Sequence, residues 1–93
     1  MNHNDMDFLN RVRNYVRARG ENTGNWSSLE GDQYRYGICG NVRVAVSLLT
    51  DEMEVEKIDN MNPVVYVDEN GEVYRFHGEF EEIRADLLVM VSR

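Results

Sequence analysis

The chain is poor in the residues that staple or interrupt small proteins. It contains one cysteine, Cys39, and one proline, Pro63, among 93 residues. One cysteine excludes an internal disulfide framework and a zinc site built from cysteines, and it fits a reducing compartment. No apolar run approaches the ~18 residues of a membrane span, and the polar start MNHNDMDF lacks the pattern of a signal peptide. The sequence therefore predicts a soluble cytoplasmic protein.

Lysine is also scarce, and charge is unevenly distributed. Nine of the ten basic residues are arginine, and the formal net charge is −7. Residues 1–50 carry five acids and six arginines, for +1, whereas residues 51–93 carry twelve acids and four basic residues, for −8. Such an acidic surface repels nucleic acid and anionic membranes and attracts basic partners. Arginine holds a carboxylate in a bidentate fork, which suits fixed pairs within or between chains.

Length and composition predict a single domain that spans residues 1–93. Hydrophobic residues make up 42% of the chain and nine residues are aromatic, which is enough for one compact core. A chain this short buries only about 60–65% of its unfolded surface, so its stability is modest unless it dimerises.

The chain begins with helical periodicity. Asn4 or Asp5 can cap a helix that runs to about Arg19. Its apolar stripe consists of Phe8, Leu9, Val12, Tyr15 and Val16. Its arginines are Arg11, Arg13, Arg17 and Arg19. These arginines fit a solvated face with matching to the helix dipole better than a nucleic-acid patch, because the rest of the chain is acidic.

A loop and two ambiguous segments follow. Residues 20–32 are rich in glycine and small polar residues, which predicts a loop that contains Trp26. Residues 33–38 alternate as a short strand, with the side chains of Tyr34, Tyr36 and Ile38 on one side. Residues 42–52 fit both a strand and a helix. The position of Asn41 as an N-cap and the length of the segment favour a helix.

The segment PVVYVDENGEVYRF predicts a β-hairpin over about 64–77, with Asn70-Gly71 as a two-residue type I′ turn. Counting outward pairs Glu69 with Glu72, Val67 with Tyr74 and Val65 with Phe76. The last four of these should face the core. A helix begins after Gly78, and residues 86–93 fit either its continuation or a third strand. The predicted fold class is α+β, a small antiparallel sheet packed against two or three helices.

Catalytic and metal motifs are weak. Cys39 ahead of a helix, with His77 or His3 as a base, would suit a cysteine-dependent enzyme, but no third group is evident to orient the histidine. A calcium loop centred on Gly71 fails, because its first and twelfth positions hold Tyr66 and His77. We therefore expect no catalytic residue, no metal and no cofactor, with Cys39 as part of the packing.

The acids of the second half are the stronger signal. In an extended segment, Glu52, Glu54 and Glu56 would share one face at about 7 Å spacing, comparable with successive phosphates of a nucleic-acid strand. We expect the partner-binding set to be Asp51, Glu52, Glu54, Glu56, Asp59, Asp68, Glu69 and Glu72. The simpler alternative is a solubilising surface, since −7 is normal for a small domain.

The stretches DEMEVEKID (51–59), DENGE (68–72) and EFEE (79–82) carry a family resemblance. By size and acid content the chain resembles small early proteins of bacteriophages, including DNA-mimic, anti-restriction inhibitors. The resemblance covers less than half of the chain. It implies a non-enzymatic, often dimeric protein that blocks the DNA site of a basic host protein in the host cytoplasm and binds no nucleic acid itself. In that case Arg11, Arg13, Arg17 and Arg19 would be used in self-pairing or turn away from the acidic face.

Two other classes of function compete with this one. The first is a generic protein-interaction module whose aromatic patch consists of Trp26, Tyr34 and Tyr36. The second is the small cysteine-dependent enzyme described above.

Overall fold

The computed structural model describes residues 3–22, 33–60, 62–76 and 80–93. In chain order the elements are α1 (His3–Arg19), β1 (Tyr34–Cys39), β2 (Val42–Ser47), β3 (Met53–Lys57), β4 (Pro63–Val67), β5 (Val73–Phe76) and α2 (Phe80–Val91). The strands form one antiparallel sheet in the order β1-β2-β3-β4-β5. The predicted α+β class is confirmed. Within the described ranges, neither helix is long and apolar enough to cross a membrane.

The core lies between one face of the sheet and both helices. Alternate residues of the strands point to this side and join one cluster with the apolar stripes of α1 and α2. The helices contribute Phe8, Leu9, Val12, Val16, Phe80, Ile83, Leu87 and Met90. Because both helices cover the same face, the opposite face of the sheet carries neither of them.

Helix α1 ends at Arg19 as predicted but begins at His3, before the predicted caps Asn4 and Asp5; the predicted stripe is buried except for Tyr15, which is partly buried. The helix ends where Gly20 donates its N–H to the Val16 carbonyl at 2.7 Å. Glu21 then pairs with Tyr36 through two main-chain hydrogen bonds of 2.9 Å each. The chain therefore leaves the helix in direct contact with the outer edge of β1.

The predicted helix over residues 42–52 is wrong. Cys39 pairs with Val42 across a two-residue turn, Gly40-Asn41, in which Gly40 has a φ of 59°. Asn41 therefore lies in a hairpin turn, where its tolerance of turn conformations is the same property that suggested an N-cap. Val42, Val44 and Val46 are buried against the helices because β2 places alternate residues on that face.

The β4–β5 hairpin is confirmed, but its turn is wider than predicted. Val65 pairs with Phe76 as expected, whereas Val67 pairs with Val73 and the register shifts beside it. The connection consists of residues 68–72 and not of Asn70-Gly71 alone. The shift moves the side chain of Tyr74 out of the core, and it is 66% exposed.

The remaining expectations fall into two groups. Residues 86–91 continue α2 and form no third strand. The aromatic ring of Trp26 and the imidazole of His77 lie outside the described residues.

Candidate functional site

The sheet topology sorts the predicted contact acids by position along the strands. Asp51 and Glu52 precede β3, and the β4–β5 loop carries Asp68, Glu69 and Glu72. Because Met53 pairs with Val67, these two connections are neighbours at one end of the sheet. We call the five acids Asp51, Glu52, Asp68, Glu69 and Glu72 the acidic end. Asp59 lies beyond the far end of β3 and is separate from it.

The three glutamates of the predicted phosphate-like row do share one face, but they are not on the surface. Glu52, Glu54 and Glu56 are only 6%, 1% and 7% exposed. They point away from the helices on the central strand, between β2 and β4, and neighbouring side chains therefore surround them. The prediction that these three glutamates contact a partner is therefore corrected, because the surface of a partner protein cannot reach buried carboxylates.

Glu56 shows the electrostatic cost of this row. Burial raises the pKa of its carboxyl, and the nearby Glu54 raises it further, while Arg43 acts in the opposite direction. Arg43 lies directly opposite Glu56 in the β2–β3 register. The ionised form of Glu56 is therefore less stable in the folded protein than in the unfolded chain.

Glu56→Gln should raise the free energy of unfolding at pH 7 by about 1 kcal/mol, because it removes a buried charge. The pKa of Glu56 is higher in the folded protein than in the unfolded chain. The destabilising effect of its buried charge is therefore complete above the folded pKa and disappears as the pH falls through that value. Wild type and variant should therefore converge toward about pH 4, where both states of the wild type are protonated. Urea unfolding at several pH values measures the difference. A gain that is constant with pH would contradict an electrostatic origin.

Asp68 organises the β4–β5 loop. Its Oδ1 accepts hydrogen bonds from the main-chain N–H groups of Asn70, at 3.0 Å, and Glu72, at 2.7 Å. Burial alone would raise the pKa of Asp68, but these hydrogen bonds outweigh it and lower the pKa of the carboxyl. Asp68 is therefore ionised at neutral pH and is engaged in the turn, and it is buried from a partner. It contributes charge to the acidic end without offering a contact.

Carboxylates of the acidic end affect the pKa values of two tyrosine hydroxyls. The rings of Tyr66 and Tyr74 stack with centroids 5.8 Å apart. Burial raises the pKa of Tyr66, and Glu52, Glu54 and Asp68 raise it further. The pKa of Tyr74 is raised by Asp68 first, with smaller effects from Glu72 and Glu69. Carboxylates of β3, of the β2–β3 connection and of the β4–β5 loop therefore all act on this stacked pair of tyrosines.

The arginines of α1 contact the β2–β3 connection from the side of the helices. Arg17 Nη2 donates to the carbonyls of Thr50, at 2.8 Å, and Ser47, at 3.2 Å. Arg13 Nη1 donates to the Asp51 carbonyl at 3.3 Å. These two guanidinium groups are half-buried and are not part of a purely solvated face, which corrects that part of the expectation for α1. Arg11 and Arg19 are exposed, as predicted.

A second, smaller group of acids lies at the opposite end of the sheet. The main-chain N–H of Asn41 donates to Asp86 at 3.3 Å, and its side chain donates to Asp59 at 3.5 Å. Lys57 forms an ion pair with Glu82 at 2.7 Å. Glu82 is therefore paired with a cation, and Asp59 and Asp86 accept hydrogen bonds from Asn41, so Asp59 belongs to this hydrogen-bonded group and not to the acidic end.

The competing sites have less structural support. Cys39 is buried in the core, and Arg93 Nη2 donates to its Sγ at 3.3 Å. Tyr34 is also buried, and the hydroxyl of Tyr36 donates to Glu21 at 2.8 Å, so neither presents a free aromatic surface. Across the described ranges, no three histidine, cysteine, aspartate or glutamate side chains are grouped to hold a metal ion.

In comparisons with known proteins, no family model, curated protein or solved structure matches the chain. Sequence reasoning missed the Tyr66–Tyr74 stack, because the register shift that turns Tyr74 outward has no evident signal in the sequence.

Proposed function

We propose that this protein is a non-enzymatic binding protein that attracts a basic partner to its acidic end. The single observation that supports this most directly is the shared effect of several carboxylates on Tyr66 and Tyr74. A tyrosine hydroxyl loses its proton less readily where the local potential is negative. Nearby carboxylates, Asp68 above all, thus raise the pKa of the Tyr74 hydroxyl, and they add to the effect of burial on Tyr66, which supports a negative potential around the exposed ring of Tyr74.

The contact set is narrower than the sequence suggested. Asp51, Glu69 and Glu72 are at least partly exposed, and Glu69 and Glu72 lie near enough to Tyr74 to raise the pKa of its hydroxyl. The carboxylates of Glu52, Glu54 and Asp68 are buried, so they would add to the negative potential without contacting the partner. A cationic side chain could pair with the exposed carboxylates and lie against the ring of Tyr74, a combination that suits arginine in particular.

The partner class that fits this surface is a basic, nucleic-acid-binding protein of the host cell, as in DNA-mimic inhibitors of bacteriophage origin. The DNA-binding surface of such a partner is rich in arginine and lysine. Arg13 and Arg17 donate hydrogen bonds to main-chain carbonyls, and Arg17 also forms an ion pair with the carboxylate of Asp51 at 3.7 Å, so the exposed charge of the acidic end comes chiefly from Glu69 and Glu72. A mimic of this kind would act by charge placed on two adjacent loops and not by a phosphate-like row on β3. A homodimer would double the acidic end.

The charge test compares two double variants of equal net charge. Glu69→Gln with Glu72→Gln removes two charges from the acidic end, whereas Asp7→Asn with Glu81→Gln removes two exposed charges from the helices. Both are used with wild type as bait in bacterial lysate at low and high salt, and captured DNA-binding proteins are then challenged with duplex DNA.

We expect the first variant to associate about tenfold more slowly with the captured partner, the control to behave as wild type, and DNA to displace the protein. Salt should weaken binding of the wild type. Equal capture by both variants would contradict the proposal. Loss of binding in both would show that only total charge matters, which is the solubilising alternative.

A further inference from the structure

A cleft of about 290 Å³ lies where α1 and α2 both finish beside β1. Its floor is apolar and includes Val16, Gly37 and Met90. Gly37 has no side chain to fill the cleft. A Cβ at that position would lie in ordinary contact with Met90, 3.6 Å from its sulfur. Ile38 forms part of the wall and is 47% exposed.

The charged groups around the cleft are mostly positive. Arg19 and Arg93 both line it, and among the described lining residues Glu21 is the one with an acidic side chain. The carboxylate of Glu21 already accepts a hydrogen bond from the hydroxyl of Tyr36 at 2.8 Å. Arg19 lies over the ring of Tyr15, with its guanidinium carbon 5.4 Å from the ring centroid, and so is held at the wall. Two arginines beside an apolar floor are unusual in a chain with a net charge of −7.

The helix ends at the cleft would by themselves disfavour an anion, because the last carbonyls of a helix are partly negative. Several of these carbonyls are occupied. Val16 accepts the N–H of Gly20, and Val89 and Met90 accept those of Ser92 and Arg93. These hydrogen bonds reduce the negative character of the helix ends beside the two guanidinium groups.

We propose that this cleft binds a small amphipathic carboxylate. The carboxylate would pair with Arg19 and Arg93, and a short apolar tail would cover Val16, Gly37 and Met90. The volume is at the small end of ligand pockets, which usually span about 300–1,000 Å³, and so it suits a ligand with a short aliphatic chain. The cleft does not overlap the acidic end, and the two proposals can fail independently.

The probe is hexanoate, compared with three relatives that each lack one feature. Acetate has the charge without the tail, hexan-1-ol has the tail without the charge, and hexylammonium reverses the charge. Each is titrated into the full chain labelled with ¹⁵N, and amide shifts are followed by NMR. Hexanoate should shift the amides of Gly20, Gly37 and Ile38 in a saturable way, with acetate and hexan-1-ol at least about tenfold weaker.

Two variants of α1 distinguish binding at the cleft from an effect of the total charge of the protein. Arg19→Gln should weaken hexanoate binding about tenfold, since it removes a charge-assisted hydrogen bond from an exposed side chain that the fold does not need. Arg11→Gln makes the same charge change outside the cleft and should leave binding unchanged. Scattered shifts, tighter binding of hexylammonium, or equal weakening in both variants would overturn the proposal.

Discussion

Gly20→Ala is expected to lower the free energy of unfolding by about 2–3 kcal/mol, the loss typical of an added group without space. A Cβ at this position would lie 2.6 Å from the Val16 carbonyl oxygen and 2.8 Å from that of Tyr36. Both are main-chain atoms, so no side chain can rotate away to relieve the contact. The end of α1 would have to move off β1, and the two hydrogen bonds between Glu21 and Tyr36 would be lost.

Gly71→Ala is the matched control for this change. Gly71 has a φ of 80°, but nothing lies within 4 Å of an added Cβ. Its cost is therefore conformational only, about 1 kcal/mol. Urea unfolding of both variants, followed by circular dichroism, gives the comparison. If the two alanine variants were equally destabilised, close packing of α1 against β1 at Gly20 would be refuted.

Arg17→Ala is expected to lower the free energy of unfolding by about 2 kcal/mol, because charge-assisted hydrogen bonds to the main chain are lost. One guanidinium nitrogen donates to the carbonyls of both Ser47 and Thr50, and it lies 3.7 Å from the carboxylate of Asp51. The side chain thereby ties α1 to the connection that carries part of the acidic end. Amide hydrogen exchange in residues 47–51 should accelerate along with the loss of stability.

Two substitutions show whether the contacts of Arg17 are responsible. Arg11→Ala on the same helix removes an exposed guanidinium and should change stability by no more than about 0.5 kcal/mol. Arg17→Lys keeps the charge but carries it on a shorter side chain with a different donor geometry, so it should recover only part of the loss. Full recovery by lysine would mean that a positive charge at this position, and not the guanidinium geometry, stabilises this region.

Much of the fold could be predicted because its signals were local. The stripe from Phe8 to Val16 and the pairing of Val65 with Phe76 follow directly from residue spacing. The prediction for residues 42–52 was wrong because the segment fits both periodicities: Val42, Val44 and Val46 alternate as in a strand, while Val42, Ala45, Val46 and Leu49 follow helical spacing. Asn41 likewise suits both a cap and a turn. Gly40-Asn41 is itself a hairpin signal, so greater weight on that dipeptide would have identified β2.

The candidate site was less predictable because it depends on contacts between distant segments. Spacing alone correctly placed Glu52, Glu54 and Glu56 on one face, but their exposure depends on which strands flank β3. The contact between Arg17 and Thr50 likewise requires the packing of α1 on the sheet. Periodicity gives the direction of a side chain along its own element and says nothing about what lies above it.

The order of the strands also bears on how quickly the chain reaches its native state. Every pair in the sheet joins segments adjacent in the chain, so the meander can assemble hairpin by hairpin with short loop closures. The contact between α1 and α2 is different, because it brings the two ends of the chain together. Since α1 must also meet β1 and β2, its docking is the step with the greatest entropic barrier, and we expect the helical layer to close last over a sheet already formed.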